Sequence, residues 1–334
     1  MKGFRLLLSF LLLGSLLGAS SCLSRSAASA EEYFSIGMAY FELGKFEEAE
    51  KWLNRARGED KTRVASEYNL GRIAFEAGRY GDAVEYFDRV LKRDPVNVMA
   101  LRAAAYTRIK TGENEMAAAL YNRVLELVPE SADDGYNYAL VLYVLKEYGK
   151  AEEVLFRHSH ALDENMNMLL LLARTQRGLE KVEAIDAYAR WLGNNTDAGV
   201  RYEYAQVLEK EELYAKALEQ YREALGGLSP DSKEPTREEL RLAIIRLLMI
   251  ADGESEDGLK ELNGAVEEGF ADLDALAALM EDARLSEANR RGIGEAVDAI
   301  KRKAAGTEAA EDADSPETPE GGEAGPEEAP GETP

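Results

Sequence analysis

The chain has 334 residues, 46% hydrophobic and 31% charged, with a formal net charge of −23. So acidic a chain is a poor match for nucleic acid, whose phosphates are bound by cationic surface. One cysteine and two histidines fall short of the three or four ligands a zinc site needs.

The chain opens with Lys2 and Arg5, followed by an apolar run from Leu6 to Leu17. That run is shorter than the roughly 20 residues a membrane-spanning helix requires. Gly18, Ala19, Ser20 and Ser21 come next, then Cys22, the only cysteine. Together these have the three-part form of a secretory signal. A lone cysteine directly behind the small residues resembles the signal of bacterial lipoproteins. In that family the thiol is lipidated and the chain is cut before it, so 1–21 is the expected signal peptide and Cys22 the lipidation site. Ala-Ser-Ser-Cys departs from the usual leucine-first box, a looseness found in spirochaete lipoproteins. The other reading is an ordinary secretory signal cut near Ala19–Ser21, with an incidental cysteine. Two or more acyl chains would anchor the protein stably. Residues 22–30 form a small, polar tether with a reach of about 14–17 Å if flexible.

From residue 31 to 228 a spacing of 34 residues recurs. Gly37 and Gly71 are one period apart, as are Gly44, Gly78 and Gly112, and Ala49, Ala83, Ala117 and Ala151; Pro95 and Pro129 close two units. A unit this small cannot bury its own apolar face, so neighbours must stack into a continuous core. In Ser66–Pro95, the residues Leu70, Ala74, Ala83, Val84, Phe87, Val90 and Leu91 fall at helical spacings. Gly78 interrupts them and Asp94–Pro95 stops the second run. Each unit is therefore expected to be a helix–turn–helix hairpin, with Gly71 and Ala83 small where the two helices approach.

The pattern resembles the tetratricopeptide repeat (TPR). The first unit carries Tyr33, Ile36, Gly37, Tyr40, Ala49, Leu53 and Ala56; the second Leu70, Gly71, Ala83, Phe87 and Pro95. The third has Leu101, Ala117, Tyr121 and Pro129, with Ala105 in place of the glycine, and the fourth Tyr138, Ala139, Ala151 and Leu155, with His158 in place of a small residue. The fifth (Ala173, Ala184, Tyr188) fits only with one residue deleted, and the sixth (Tyr204, Ala205, Ala217, Tyr221, Ala224) is regular. A seventh hairpin, Arg237–Glu267, has Leu262 and Ala265 but Gly258 where alanine is usual. Gly269–Lys303 reads as a helical end cap. The resemblance implies an all-α, right-handed superhelical solenoid of six to seven hairpins over 31–228, with a degenerate repeat and cap over 229–303. Residues 304–334 carry ten acidic side chains, no Lys or Arg, and no Leu, Ile, Val or aromatic. Such a segment cannot bury enough apolar surface to offset ordering and is expected to be a disordered acidic tail.

Little in the chain suggests catalysis, and no cofactor or metal is implied. His158 and His160 are two apart and diverge on a helix, so His158 is expected to pack in a hairpin seam. Glu47–Glu48 and Glu152–Glu153 are expected on solvent faces of second helices. The resemblance places the ligand face on the first helix of each hairpin. Projected onto this chain, that face holds Phe34, Met38 and Phe41; Tyr68, Arg72 and Phe75; Arg102, Tyr106, Ile109 and Lys110; Tyr136, Leu140 and Tyr143; Arg174 and Arg177; and Tyr202 and Gln206. Asn69 and Asn137 occupy the position where peptide-binding members grip ligand backbone. Aromatics and Arg dominate binding hot spots, although an aromatic stripe at this spacing also describes a packed core. The implied protein is a membrane-anchored, non-enzymatic scaffold of the bacterial envelope. It would bind an envelope protein or peptide, on the periplasmic side of the outer membrane. The alternatives are an accessory to transport of a solute or hydrophobic ligand, and a surface adhesin.

Overall fold

The computed structural model describes residues 29–229, 231–251 and 256–313. Cys22, the expected signal segment 1–21 and the tail beyond Ala313 lie outside them. Among the described residues are sixteen α-helices and no strand. The hairpins are α1 (Ala30–Glu42) with α2 (Phe46–Ala56), α3 (Asp60–Glu76) with α4 (Tyr80–Arg93), α5 (Val98–Thr111) with α6 (Asn114–Leu127), and α7 (Ala132–Val144) with α8 (Tyr148–Arg157). A 3-10 turn, Ser159–Ala161, precedes α9 (Met166–Gly178) and α10 (Ala184–Leu192). Then come α11 (Ala198–Lys210), α12 (Tyr214–Gly227), α13 (Arg237–Ala251), α14 (Glu256–Glu267), α15 (Leu273–Met280) and α16 (Glu287–Ala313). The helices gather into two compact units divided between Lys181 and Val182, within the turn of the fifth, degenerate hairpin.

In the first unit each helix packs on the next, and the first helices α1, α3 and α5 also pack in series, as do α7 and α9. The seam inside each hairpin pairs a small residue with a large one. A Cβ on Gly37 would come within 2.8 Å of the Leu53 side chain, and one on Gly71 within 2.6 Å of the Phe87 ring. Ala105 meets Tyr121 and Ala139 meets Leu155 in the same way, in successive core clusters. All four large partners are buried. In the fourth unit His158 fills its seam by lying directly against Gly135, where a Cβ would collide with the imidazole. Glu152 departs from the solvent face expected of it. It is buried, and accepts a hydrogen bond of 2.6 Å from Lys181 Nζ, which ties α8 to the turn after α9.

The turns explain the glycine spacing. Four of the first helices start on side-chain caps, Ser29 in a reciprocal capping box with Glu32, then Asn97, Ser131 and Asn165, while α3 starts at Glu59 without one. The second helices begin without one. Instead the chain reverses through a residue in the left-handed region, and the next N–H returns to a carbonyl five residues back. Lys45 N donates to Tyr40 O at 2.9 Å, Arg79 N to Ala74 O at 2.8 Å, and Glu113 N to Arg108 O at 2.8 Å. The pivots are Gly44, Gly78 and Gly112, with φ of 70°, 72° and 79°. Lys146 (φ 60°) and Glu180 (φ 59°) continue the series at the same spacing, and Glu212 (φ 58°) serves the sixth hairpin. The backbone period thus outlasts the glycines that announce it.

The second unit buries Ala205, Leu208, Ala217, Tyr221, Leu240 and Leu247 in one core. A second core gathers Ile245, Met249, Leu262, Leu276 and Ile293 from α13 to α16. Asn289 Nδ2 donates to Met249 O at 3.0 Å and fastens α16 to α13. Helix α16 runs through Ala313, ten residues past the expected end of the cap at Lys303. Its last stretch is Ala- and Glu-rich, both good helix formers, and the first proline is Pro316.

Side chains with a Cβ held at positive φ cost about 1–2 kcal/mol, part of which glycine's own entropy offsets. Lys146→Gly, Glu180→Gly and Glu212→Gly are each expected to stabilise by about 0.5–1 kcal/mol, and Gly78→Ala to destabilise by a similar amount. Thermal or urea unfolding monitored by circular dichroism measures both. Unchanged midpoints for all four variants would show that these pivots carry no strain.

A candidate binding cleft in the first unit

Between α5 and α7 the first helices pack less closely than elsewhere in the unit, and a cleft of about 430 Å³ opens there. Tyr68 of α3, Met99, Arg102, Ala103 and Tyr106 of α5, and Asp134 and Asn137 of α7 line it, with Tyr121 of α6 as its floor. Met99 and Tyr106 are 58% and 46% exposed, whereas Tyr121 is buried. That burial pushes the Tyr121 phenol up to about 12, so it stays neutral.

One ion pair spans the opening. Arg102 Nε lies 2.8 and 3.0 Å from the two Asp134 carboxylate oxygens, and its NH2 group lies 2.5 Å from Oδ2. The carboxylate is almost wholly buried and the guanidinium is partly exposed. A fork gripped in this way is preorganised, with one edge spent on Asp134. Tyr106 is braced from two sides: the Phe75 ring lies 5.5 Å away and Lys110 Nζ 5.3 Å from its centroid. The cleft therefore offers apolar and aromatic surface, an amide and one fixed cation. That equipment suits an extended or helical polypeptide segment and provides no nucleophile–base pair.

The expected ligand face is divided by the structure. Tyr68, Arg102, Tyr106 and Asn137 meet at the cleft. Asn69 does not. It is 6% exposed, its Nδ2 donates to Ala65 O at 2.8 Å, and its Oδ1 accepts from Arg72 at 3.1 Å. The amide's hydrogen-bonding capacity is largely used within the second hairpin, because α1 packs over α3. Arg72 is also occupied, with its guanidinium 4.4 Å from the centre of the Phe41 ring. Phe34, Met38 and Phe41 are half-buried against the Leu53–Leu70 core, and Phe75 against the next one. Tyr136, Leu140 and Tyr143 pack on the core of the fourth hairpin, Tyr143 also meeting Tyr148 at 5.4 Å. Arg174 is half-buried on α9 and is not a lining residue. Tyr202 and Gln206 line a separate cleft of about 340 Å³ inside the second unit, beside Arg246 and Asp282. There Glu209 accepts from Arg246 at 2.7 Å and from the Tyr221 hydroxyl at 3.1 Å. Sequence reasoning overlooked Met99, Tyr121 and Asp134. Asp134 had one available signal, an acid in the first turn of α7, the first helix of the next hairpin.

Among the described residues, no group of three or more His, Cys, Asp or Glu side chains is arranged as metal ligands, and no helix is long and apolar enough to cross a membrane.

Comparison with known families gives two matches, both to tetratricopeptide repeat models, over residues 68–132 and 30–57. Residues 30–57 and 68–132 thus carry tetratricopeptide repeats. The chain's hairpins are similar in fold to a crystallised tetratricopeptide repeat protein of Parabacteroides merdae. That structure superposes with a TM-score of 0.51 at 19% identity, over 75% of this chain and 97% of the other. In sequence the chain is 27% identical over 154 residues to an uncharacterised lipoprotein of Treponema pallidum, covering 46% of this chain and 79% of that one. TPR stacks are generally non-enzymatic and provide surfaces for protein interaction.

His158 makes this repeat sensitive to acid. Burial, then the neighbouring His160 and Arg157, hold its pKa below the usual 6.5, against a weaker pull from Glu130 and Asp134. Neither ring nitrogen has a partner. The folded state thus keeps His158 neutral, while the unfolded chain takes up a proton as pH falls through about 6.5. The stability this contributes is complete above that pH and declines below it, by at most about 1.4 kcal/mol per pH unit. His158→Leu is expected to flatten the fall in thermal midpoint between neutral and mildly acidic pH. Equal pH slopes in variant and wild type would refute the assignment.

Proposed function

We propose that this protein is a lipid-anchored, non-enzymatic scaffold of a bacterial cell envelope, which holds a segment of a partner protein in the α5–α7 cleft. The observation that carries the reading is the meeting of Tyr68, Met99, Tyr106, Asn137 and a preorganised Arg102 at one gap in an otherwise closely packed face. Apolar burial by Met99 and the tyrosines would supply most of the affinity, and Arg102 and Asn137 would set orientation. Anchoring rests on the signal-like segment 1–21, on Cys22 as the sole cysteine, and on the likeness to the Treponema pallidum lipoprotein. On this reading the protein resides in the envelope, at the periplasmic side of the outer membrane.

Two measurements test the two halves separately. Photo-cross-linking from position 99 in intact cells should capture a discrete partner. Tyr106→Ala should reduce its recovery about tenfold or more, the effect of one hot-spot residue. Met116→Ala, at an exposed position on α6, should not. Equal recovery from both variants, with helicity unchanged, would remove the cleft from the model. For the anchor, Cys22→Ala should move the protein from the membrane to the soluble fraction, and full retention in membranes would contradict lipidation.

A further inference from the structure

The repeat spacing identifies a face of the first hairpin that has lost its neighbour. Ile36 stands where Leu70 and Ala104 stand one and two periods later. Those later residues lie in seams and are no more than 1% exposed, because the preceding hairpin covers them. Ile36 is 36% exposed, and Leu43, farther along the same helical stripe, is 70% exposed. Trp52 likewise occupies the position of Tyr86, which packs against the core of the hairpin before it. Trp52 has no earlier described hairpin to meet. It stacks instead on Tyr33 at 5.7 Å, and the Arg55 guanidinium caps both rings, 4.7 Å from the centroid of Trp52 and 5.9 Å from that of Tyr33. Lys45 Nζ lies 6.0 Å from the Tyr40 ring. The nearby acids of the first turn are engaged: Glu31 with Lys61 at 2.6 Å, and Glu32 with the backbone of Ser29. Exposed solenoid ends are ordinarily polar; this one carries a tyrosine, a tryptophan, two aliphatics and two cations.

We propose that this end face, Tyr33, Ile36, Leu43, Trp52 and Arg55, rests on the phospholipid headgroup surface. The proposal builds on the anchoring reading above. Tyr and Trp are the residues that settle at the membrane–water boundary, with an apolar body toward the acyl chains and a polar edge toward water. Arg55 and Lys45 place their charges at phosphate level while their stems cover apolar surface. The chain length agrees. Seven residues lead from Cys22 to Ser29, so the start of α1 lies within about 25 Å of the lipidated thiol in any conformation. Of the seams and faces in the first unit, this is the one the tether delivers to the bilayer. It would orient the stack with its first hairpin down and hold the α5–α7 cleft at a set height above the lipid.

The test exploits the single cysteine and the two tryptophans. The full chain, carrying Trp191→Phe, is coupled through Cys22 to a maleimide lipid in phosphatidylcholine vesicles containing a minority of phosphatidylglycerol. Trp191 makes no hydrogen bond through its ring nitrogen, so the replacement loses none, and Trp52 becomes the sole reporter. Because the coupling is chemical, the result is independent of whether cells lipidate Cys22. The expected result is a blue shift of Trp52 emission, quenching by brominated lipid, and about a twofold loss of accessibility to acrylamide, as for a ring at the headgroup boundary. Ile36→Gln/Leu43→Gln and Arg55→Glu, all at exposed positions, should abolish these changes without loss of helicity. Trp52 emission identical on and off vesicles would overturn the proposal. Shielding of Trp52 that is already complete without lipid would also overturn it. If that shielding rises with protein concentration, a second copy covers the face; if it does not, the apolar run at 6–17 does.

Discussion

Every part of this structure depends on the interlock inside the hairpins. A small residue at Gly37, Gly71, Ala105 or Ala139 lets the paired backbone approach, and a large partner on the second helix, Leu53, Phe87, Tyr121 or Leu155, fills the space that is left. Neither hairpin helix can bury its apolar stripe alone, so the interlock repeats along the chain at the spacing of one hairpin. Interiors packed this way tolerate little change in volume. This is why the fourth unit, which has a histidine where a small residue belongs, sets it against a glycine one helix away.

The two candidate interaction surfaces are both places where stacking is incomplete. Between α5 and α7 the face formed by the first helices loosens, and the ion pair of Arg102 with a buried Asp134 spans the opening. At the start of the described stack no described hairpin precedes the first, so Ile36 remains exposed and Trp52 only half-buried. A protein made of one repeated element obtains distinct surfaces from these departures, because its regular seams are consumed by packing.

The division at Lys181 follows the same principle. Up to Glu180 the backbone keeps its period even where glycine has given way to Lys146 and Glu180. The fifth hairpin then loses residues and α10 shortens to nine, and the contacts separate into two compact units. The second unit, like the first, takes charged side chains into its packing: Glu209 with Arg246 and Tyr221, and Asp282 with Arg284, whose hydrogen bond holds that carboxyl below its usual pKa.

The sequence alone determined the fold class and the seam residues of the regular hairpins, because these follow from a spacing that any correct fold must satisfy. It also marked Tyr68, Arg102, Tyr106 and Asn137, which the structure gathers at one cleft. It could not separate them from Asn69, although Asn69, Ala103 and Asn137 occupy the same repeat position. Equivalent positions differ in exposure according to which neighbour covers them, and that is decided by packing between hairpins and not by periodicity. Asn69 is enclosed and bonded to Ala65 and Arg72, whereas Asn137 stands at the gap. For the same reason the exposed Ile36 and the buried Leu70 are indistinguishable in sequence. Only the tertiary structure shows that one lies at an open end of the stack and the other in a closed seam.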